Sequence, residues 1–164
     1  MSTVHLVFGP QGAGKSTYAA TLTEAHGAVS FSIDAWMAEL FGPDLPQTNL
    51  MPWVMQRVAR CEARIWHSAQ AVALRGVTVV LDLGFMKAAS RQRFSELAEQ
   101  AGLQVQRHYI HADMSTRRER VAARNSERGA TFAFEVTPVM FAAMEGQFEV
   151  PDNNELIGAI TLRT

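Results

Sequence analysis

The chain has 164 residues, 48% of them apolar, which is enough for one domain, residues 1–164, with a substantial core. Its formal net charge of −1 gives no overall attraction to nucleic acid or to an anionic membrane, so composition argues against both partners. The single cysteine excludes an intramolecular disulfide, the apolar runs are too short to span a membrane, and the first residues do not resemble a signal peptide, so we expect a cytoplasmic location.

Predicted strands and helices alternate along the chain. In chain order, the apolar patterns and turn residues predict a strand at 4–8, a helix from Ser16, a strand at 29–32, a helix at 34–41, a long amphipathic helix at 53–74, a strand at 77–82, a helix at 88–101, a strand at 105–110, an arginine-rich helix at 115–128, a helix at 138–148 and a strand at 156–162. Such alternation predicts an α/β fold with a parallel sheet and a site at the carboxyl ends of its strands.

A glycine-rich segment follows the first strand. Residues 9–16 read Gly-Pro-Gln-Gly-Ala-Gly-Lys-Ser and match the phosphate-loop pattern GxxxxGK(S/T). Glycines let successive backbone N–H groups approach a polyphosphate, and the following helix directs its positive end toward the anion. An ordinary glycine turn is the alternative, but the order of strand, loop and helix favours nucleotide binding. The residues predicted to bind the nucleotide are Gly9, Pro10, Gln11, Gly12, Ala13, Gly14, Lys15, Ser16 and Thr17. Among them, Lys15 is expected to reach the β and γ phosphates and Ser16 to ligate Mg²⁺.

Further short motifs complete a resemblance to the small P-loop kinases. They are Ser32-x-Asp34 after the second strand, residues 79–82 with Gly84-Phe85 after the third, and Arg-Val-Ala-Ala-Arg at 120–124. Within that superfamily the chain most resembles the AAA-type kinases related to zeta toxins, chloramphenicol phosphotransferase, gluconate and shikimate kinases and polynucleotide 5′-kinase domains. The resemblance implies a three-layer sandwich with a five-stranded parallel sheet, a mobile arginine-rich lid at about 114–135, and phosphotransfer with ATP and Mg²⁺.

Two aspartates are the expected acidic groups of such a site. By resemblance, Asp34 would face the γ-phosphate and serve as the base for a hydroxyl acceptor, and the alternative is an N-cap for a helix that starts at Ala35. Asp82 ends a buried apolar strand, as does the acid that holds Mg²⁺ in this superfamily. Its alternative role is to cap the turn at Leu83-Gly84.

The arginine-rich helix supplies the expected lid residues. Arg120 and Arg124 are four residues apart and share one helix face, where they resemble the lid arginines that close over ATP. The alternative is a solvated face paired with nearby glutamates. Other arginines of this segment, namely Arg117, Arg118 and Arg128, are expected to be exposed. Pro151 falls where related kinases contact adenine.

The acceptor is less well defined by sequence. Polynucleotide-kinase relatives carry an arginine where this chain has Met37, which argues against a nucleic-acid end as the acceptor. Arg57, Arg60 and Arg64 could recognise an anionic substrate or form a solvated face. Several aromatic side chains could line a pocket or pack in the core: Trp36, Trp53 and Phe85 are open in this respect, and Trp66 is expected in the core. The histidines show no metal-ligand spacing.

The sequence therefore favours an ATP-dependent kinase that phosphorylates a hydroxyl group of a small molecule. An alternative within the same superfamily is a zeta-toxin-like or antibiotic-modifying phosphotransferase. From a different class, the chain could be an NTP-binding switch or ATPase that acts on a protein partner, which would need the phosphate loop and Asp82 but no carboxylate beside an acceptor.

Overall fold

The computed structural model describes residues 2–130 and 132–164, which contain five strands and six α-helices. In chain order these are β1 (Thr3–Phe8), α1 (Lys15–His26), β2 (Val29–Ser32), α2 (Ile33–Phe41), α3 (Leu50–Ala73), β3 (Val79–Asp82), α4 (Ala88–Gln100), β4 (Gln104–His111), α5 (Met114–Glu127), α6 (Pro138–Gln147) and β5 (Ile160–Arg163). No helix of the described residues is both long and apolar enough to cross a membrane.

All strand pairs of the sheet are parallel, in the order β2-β3-β1-β4-β5. The central strands β1 and β3 are buried because helices cover both faces. Alternate residues of β1, Leu6 and Phe8 among them, pack against α3 and α4, whereas Val7 faces α1. The predicted α/β fold with a five-stranded parallel sheet flanked by helices is confirmed.

One predicted strand begins in the wrong place. We predicted the last strand from residue 156, but β5 begins at Ile160. Residues 153–158 form turns instead, in which the Leu156 N–H donates to the Asp152 carbonyl and Gly158 has a φ of 73°. The apolar residues before β5 therefore resemble a strand in sequence but are held by local turn hydrogen bonds.

The helices α5 and α6 pack on each other away from the sheet. Val121, Val136 and Phe141 form a small separate core between them. The side chain of Asn125 makes two hydrogen bonds to the backbone of Val136, at 2.7 and 3.1 Å. We call these two helices and the connection between them the α5–α6 unit. It contains the segment in which we predicted a lid.

The open predictions for aromatic side chains divide between core and surface. Trp66 is 6% exposed and packs on Phe94, so its predicted core position is correct. Phe85 is also in the core, again against Phe94, and this excludes stacking on a substrate. Trp36 and Trp53 are only partly buried.

Candidate active site

The phosphate loop connects β1 to α1 and packs tightly against β4 and α5. A Cβ atom at Gly9 would overlap the backbone carbonyl of Ile110, and one at Gly12 would lie 2.5 Å from the Arg117 carbonyl oxygen. Gly12 also has a φ of 79°, in the left-handed region. Both positions therefore require glycine, one for close approach and the other for approach and conformation. The predicted loop sits at the carboxyl end of the central strand, where its backbone N–H groups and the start of α1 can meet an anion.

Lys15 is held on the loop itself. Its Nζ donates to the Pro10 carbonyl oxygen at 3.0 Å. Desolvation by the surrounding protein lowers the pKa of the Lys15 ammonium, while the charges of Asp82 and Asp34 raise it and that of Arg124 lowers it further. The same lysine therefore interacts with both aspartates and with a predicted lid arginine, which places these four side chains around one site.

Ser16 and Asp82 form a direct contact. The Ser16 hydroxyl donates to Asp82 Oδ2 at 2.8 Å. Burial raises the pKa of the Asp82 carboxyl, and the charge of Lys15 and the hydrogen bond from Ser16 oppose that rise. The contact engages the carboxylate with the phosphate loop, which disfavours the alternative role of capping the turn after β3.

These two oxygen ligands fit Mg²⁺. Magnesium prefers oxygen ligands, keeps several waters and usually takes only one or two protein groups besides substrate phosphates. Across the part of the chain that the structure describes, no three histidine, cysteine or acidic side chains are grouped as a metal cage would need. A magnesium ion bound by Ser16, Asp82 and phosphate oxygens suits this donor set.

Asp34 lies in the first turn of α2, close to this group. The N-cap of α2 is Ser32, whose hydroxyl accepts the Ala35 N–H at 3.3 Å, so the alternative that Asp34 caps the helix is wrong. Ser32 is also the register partner of Asp82 in the sheet, which brings Asp34 near the second carboxylate. The Asp34 carboxylate therefore remains free for another role.

The surroundings of Asp34 raise the pKa of its carboxyl above the usual value. Desolvation and the negative charge of Asp82 raise the pKa of the Asp34 carboxyl, and Lys15 and Arg124 lower it. Because Asp34 is exposed to solvent, hydration reduces the effect of desolvation, and the negative charge of Asp82 continues to raise the pKa. A carboxylate whose pKa is shifted toward neutrality can take a proton more readily.

The two predicted lid arginines have different surroundings. In the described residues, Arg124 Nε is buried and has no hydrogen-bond partner. Its positive charge lowers the pKa of both Lys15 and Asp34, so it lies near these two side chains. Arg120 instead donates to the Thr164 hydroxyl at 2.7 Å, and that hydroxyl donates to the Ala13 carbonyl oxygen of the phosphate loop at 2.9 Å. Arg120 thus reaches the phosphate loop through Thr164, and Arg124 lies near Lys15 and Asp34.

Two buried arginines were not expected from the sequence. Arg117, predicted to be exposed, is only 5% exposed and pairs with Glu145 of α6, so that prediction is wrong. Arg91 of α4 is 1% exposed and donates to the backbone carbonyls of Phe85 and Glu149. Neither has a local sequence signal, because the partners that make burial possible come from distant segments. Arg118 and Arg128 are exposed, as predicted.

Pro151 is buried in a segment that packs beside α4. The preceding Glu149 N–H donates to the Met86 carbonyl, and its own carbonyl accepts from Arg91. From this end of the chain, the phosphate loop is instead contacted by Thr164. A contact between Pro151 and adenine stays a prediction.

The arginines of α3 separate into two kinds. The Arg57 guanidinium carbon lies 3.5 Å from the ring centroid of Trp53 and 5.6 Å from that of Phe41. Arg57 is accordingly half-buried, whereas Arg60 and Arg64 are exposed. Only Arg57 departs from a solvated helix face.

The comparisons with known proteins agree with this architecture. Residues 4–151 match the AAA domain family. No curated protein matches the chain at a significant level. Among solved structures, a candidate kinase from Chloroflexus aurantiacus superposes with a TM-score of 0.75 at 16% identity, over 99% of this chain and 88% of the other.

Two further structures are similar. A gluconokinase from Sinorhizobium meliloti has a TM-score of 0.58 at 18% identity, over 99% of this chain and 82% of the other. An adenosine 5′-phosphosulfate (APS) kinase from Mycobacterium tuberculosis, in complex with AMPPNP and APS, has a TM-score of 0.63 at 18% identity, over 99% of this chain and 87% of the other. At these identities the likeness establishes the fold. The chain belongs to the AAA domain family and has the fold of the small P-loop kinases.

Proposed function

We propose that the protein is an ATP-dependent kinase that transfers the γ-phosphate to a hydroxyl group of a small-molecule acceptor. The observation that carries this proposal is Asp34, an exposed carboxylate that does not cap its helix and interacts with Lys15, Asp82 and Arg124. A nucleotide switch needs the phosphate loop and Asp82 but gains nothing from a second carboxylate at the position of the acceptor.

The phosphate loop and Lys15 would bind the triphosphate. Lys15 Nζ would exchange the Pro10 carbonyl for phosphate oxygens, which are stronger acceptors because they are charged. Ser16 and Asp82 would hold Mg²⁺, and that ion would supply charge neutralisation at the β and γ phosphates. Arg124 would offer its unpartnered N–H to the phosphoryl group, where negative charge is concentrated.

Asp34 would act on the acceptor. A hydroxyl oxygen that attacks phosphorus must lose its proton, and a carboxylate within hydrogen-bond reach can accept it. The raised pKa of Asp34 suits this step, since a more basic carboxylate holds the proton better. Lys15 and Arg124 would compensate the negative charge of Asp34 and Asp82 beside an anionic substrate.

The similar structures support the class of reaction. One was solved with the ATP analogue AMPPNP together with APS, and another is named for the phosphorylation of gluconate. By analogy with these two proteins, we propose that this chain uses ATP and phosphorylates a small molecule. We include a cytoplasmic location in the proposal on the strength of the single, buried cysteine. A zeta-toxin-like or antibiotic-modifying activity would use the same site with another acceptor.

The test is a screen for ATP consumption over sugars, nucleosides, amino acids and antibiotics, with ATP hydrolysis in the absence of an acceptor as the baseline. Once an acceptor is found, Asp34→Asn should reduce its phosphorylation by roughly 10²- to 10⁴-fold, the range of general-base contributions. Folding and ATP binding should persist, because the N-cap of α2 is Ser32.

Ser32→Ala is the matched control. It should lower stability by about 1 kcal/mol through loss of the N-cap and leave phosphotransfer close to the wild-type rate. The assay must follow phosphorylated acceptor, since slow ATP hydrolysis could persist without Asp34. Wild-type transfer by Asp34→Asn would refute the base assignment, and nucleotide-dependent binding of a protein with no phosphorylated acceptor would favour the switch.

A further inference from the structure

Arg117 joins three parts of the molecule through one guanidinium group. Its Nε donates to the Ala112 carbonyl at the end of β4, at 3.0 Å. Nη1 and Nη2 donate to the two carboxylate oxygens of Glu145 in α6, at 2.6 and 2.7 Å. Nη1 also donates to the Gln11 carbonyl oxygen of the phosphate loop, at 3.3 Å. The side chain therefore links the sheet, the phosphate loop and the α5–α6 unit.

The hydrogen bond from Arg117 to the Gln11 carbonyl affects a peptide group of the phosphate loop, whose N–H groups are expected to bind an anion. In a trans peptide the C=O and N–H groups point in opposite directions. An arginine that holds the Gln11 carbonyl on the α5 side consequently directs the Gly12 N–H to the other side of the peptide. The backbone of Arg117 also packs against Gly12, because a Cβ on that glycine would be 2.5 Å from the Arg117 carbonyl oxygen. Side chain and backbone thus restrain the same peptide unit.

The ion pair is built for a fixed geometry. Arg117 is 5% exposed, and the side chain of Glu145 is 28% exposed. The hydrogen bond from Arg117 is the largest effect on Glu145 and lowers the pKa of that carboxyl. A lysine could keep the charge but not the planar fork that serves Glu145 and Gln11 together. The Arg117 guanidinium lies 5.7 Å from the Phe141 ring, which further restricts it.

We propose that Arg117 is a positioning residue that orients the Gln11–Gly12 peptide for phosphate binding and makes this orientation depend on α6 through Glu145. The inference rests on nucleotide binding in the proposed function. Arg117 acts on the phosphates only through the loop, in contrast to Lys15 and Arg124. Movement of α6 would change the position of Glu145 and thereby release or restore the restraint on the loop.

The test measures the dissociation constant of Mg·ATP by calorimetry, well below each variant's melting temperature and with folding checked by circular dichroism. Arg117→Lys should weaken binding about 10- to 100-fold, since one hydrogen bond to a charged group is misdirected. Glu145→Gln should weaken it several-fold, because a neutral amide offers one acceptor oxygen to the fork. Arg118→Ala, which changes the exposed neighbouring arginine, should bind as the wild type does.

The outcomes separate this inference from the proposed function. Failure of the wild-type protein to bind Mg·ATP would overturn both. Normal affinity in a folded Arg117→Lys protein, even with a lowered melting temperature, would show a merely structural ion pair and overturn the inference alone. So would an equal loss in Arg118→Ala. If Arg117→Lys does not fold, Glu145→Gln decides, and wild-type affinity in that variant overturns the inference.

Discussion

Arg124 carries a buried hydrogen-bond donor that has no partner among the described residues, and such a donor suggests that a ligand binds there. A buried donor without a partner costs on the order of 1–3 kcal/mol, more when it is charged, and Arg124 Nε is such a donor within the described residues. The positive charge of Arg124 lowers the pKa of both Lys15 and Asp34, so the three side chains lie close together. An anion that enters between them would satisfy the guanidinium and offset the cost.

We therefore expect Arg124→Ala to lower turnover by on the order of 10³-fold while ATP affinity falls much less, because an arginine that neutralises the transferring phosphoryl group acts mainly in the transition state. The measurement is kcat with the identified acceptor, beside the dissociation constant of Mg·ATP. Arg118→Ala on the same helix is the control and should change neither. A loss confined to ATP affinity would assign Arg124 to ground-state binding.

Residues differ in how well their sequence context predicts them. The phosphate loop is predictable because its glycines are required by the local backbone conformation, as the positive φ of Gly12 shows. The burial of Arg117 is not predictable, since its neighbours in sequence are as polar as those of the exposed Arg118. What buries it is Glu145, 28 positions further along the chain. For Asp34 the sequence left a base and a helix cap open, and the structure shows that the cap is Ser32, a residue two positions earlier.

At the scale of elements, the α5–α6 unit is better suited to move than the centre of the sheet. Among the described residues, its own core consists of three buried side chains and the Asn125–Val136 hydrogen bonds. The Arg117 cluster and the hydrogen bond from Arg120 to Thr164 connect it to the rest of the molecule. By contrast, β3 is buried along its whole length. Fewer buried contacts mean a lower free energy of local opening.

Hydrogen exchange should therefore be faster in the second half of α5 and in residues 132–136 than in Val79–Asp82. Exchange in the α5–α6 unit should slow when ATP and acceptor bind together, because closure excludes water and adds contacts from Arg124. Mass spectrometry on peptides from the free and the doubly liganded protein measures both effects. Equal protection of the two regions without ligands would argue against a lid.

The elements themselves were predicted from apolar runs and turn residues, and most were found with ends displaced by a few residues. The exception is β5, where local turns at residues 153–158 replace the expected strand start. An apolar run does not distinguish an extended segment from a turn when its hydrogen bonds are local. The long helix α3 begins at Leu50 rather than 53, although a proline lies at position 52, because proline is tolerated in a first helical turn.

For the whole molecule, the strand order is what assembles the site. Pairing of β1 with β3 puts Asp82 beside the phosphate loop, and pairing of β2 with β3 brings the Ser32–Asp34 segment next to Asp82. The sequence pattern predicts parallel strands but not their neighbours, so this convergence could be expected only from the resemblance to P-loop kinases. A site at the carboxyl ends of the strands follows from the topology alone.

The face of the sheet that α1 covers carries a buried histidine network that the sequence did not indicate. His108 in β4 is 1% exposed and makes hydrogen bonds to His5 of β1 at 2.8 Å and to the Tyr18 hydroxyl of α1 at 2.9 Å. The ring of His26 lies 5.1 Å from that of His5. Burial, with the positive charges of His5 and His26, lowers the pKa of His108 to about 4.

This network predicts a loss of stability in mild acid. Between about pH 6.5 and pH 4 the unfolded chain binds a proton at His108 and the folded protein does not, so the free energy of unfolding falls as pH decreases through that window. The full shift corresponds to about 3 kcal/mol. Since other groups also titrate there, the measurement is the difference between wild-type and His108→Gln unfolding curves in urea at pH 7, 6, 5 and 4.

The variant should be less stable than the wild type at pH 7, where the histidine network is intact, and the gap should narrow steadily toward pH 4. His67→Gln, at an exposed position on α3, controls for the general effect of removing a histidine and should leave the wild-type profile unchanged. If His108→Gln is too unstable to measure, Tyr18→Phe removes one hydrogen bond and still leaves His108 buried, so the acid-dependent loss should persist in it. A gap between wild type and His108→Gln that stays constant from pH 7 to pH 4 would mean that His108 titrates normally in the folded protein, and the network would then contribute to stability by packing alone.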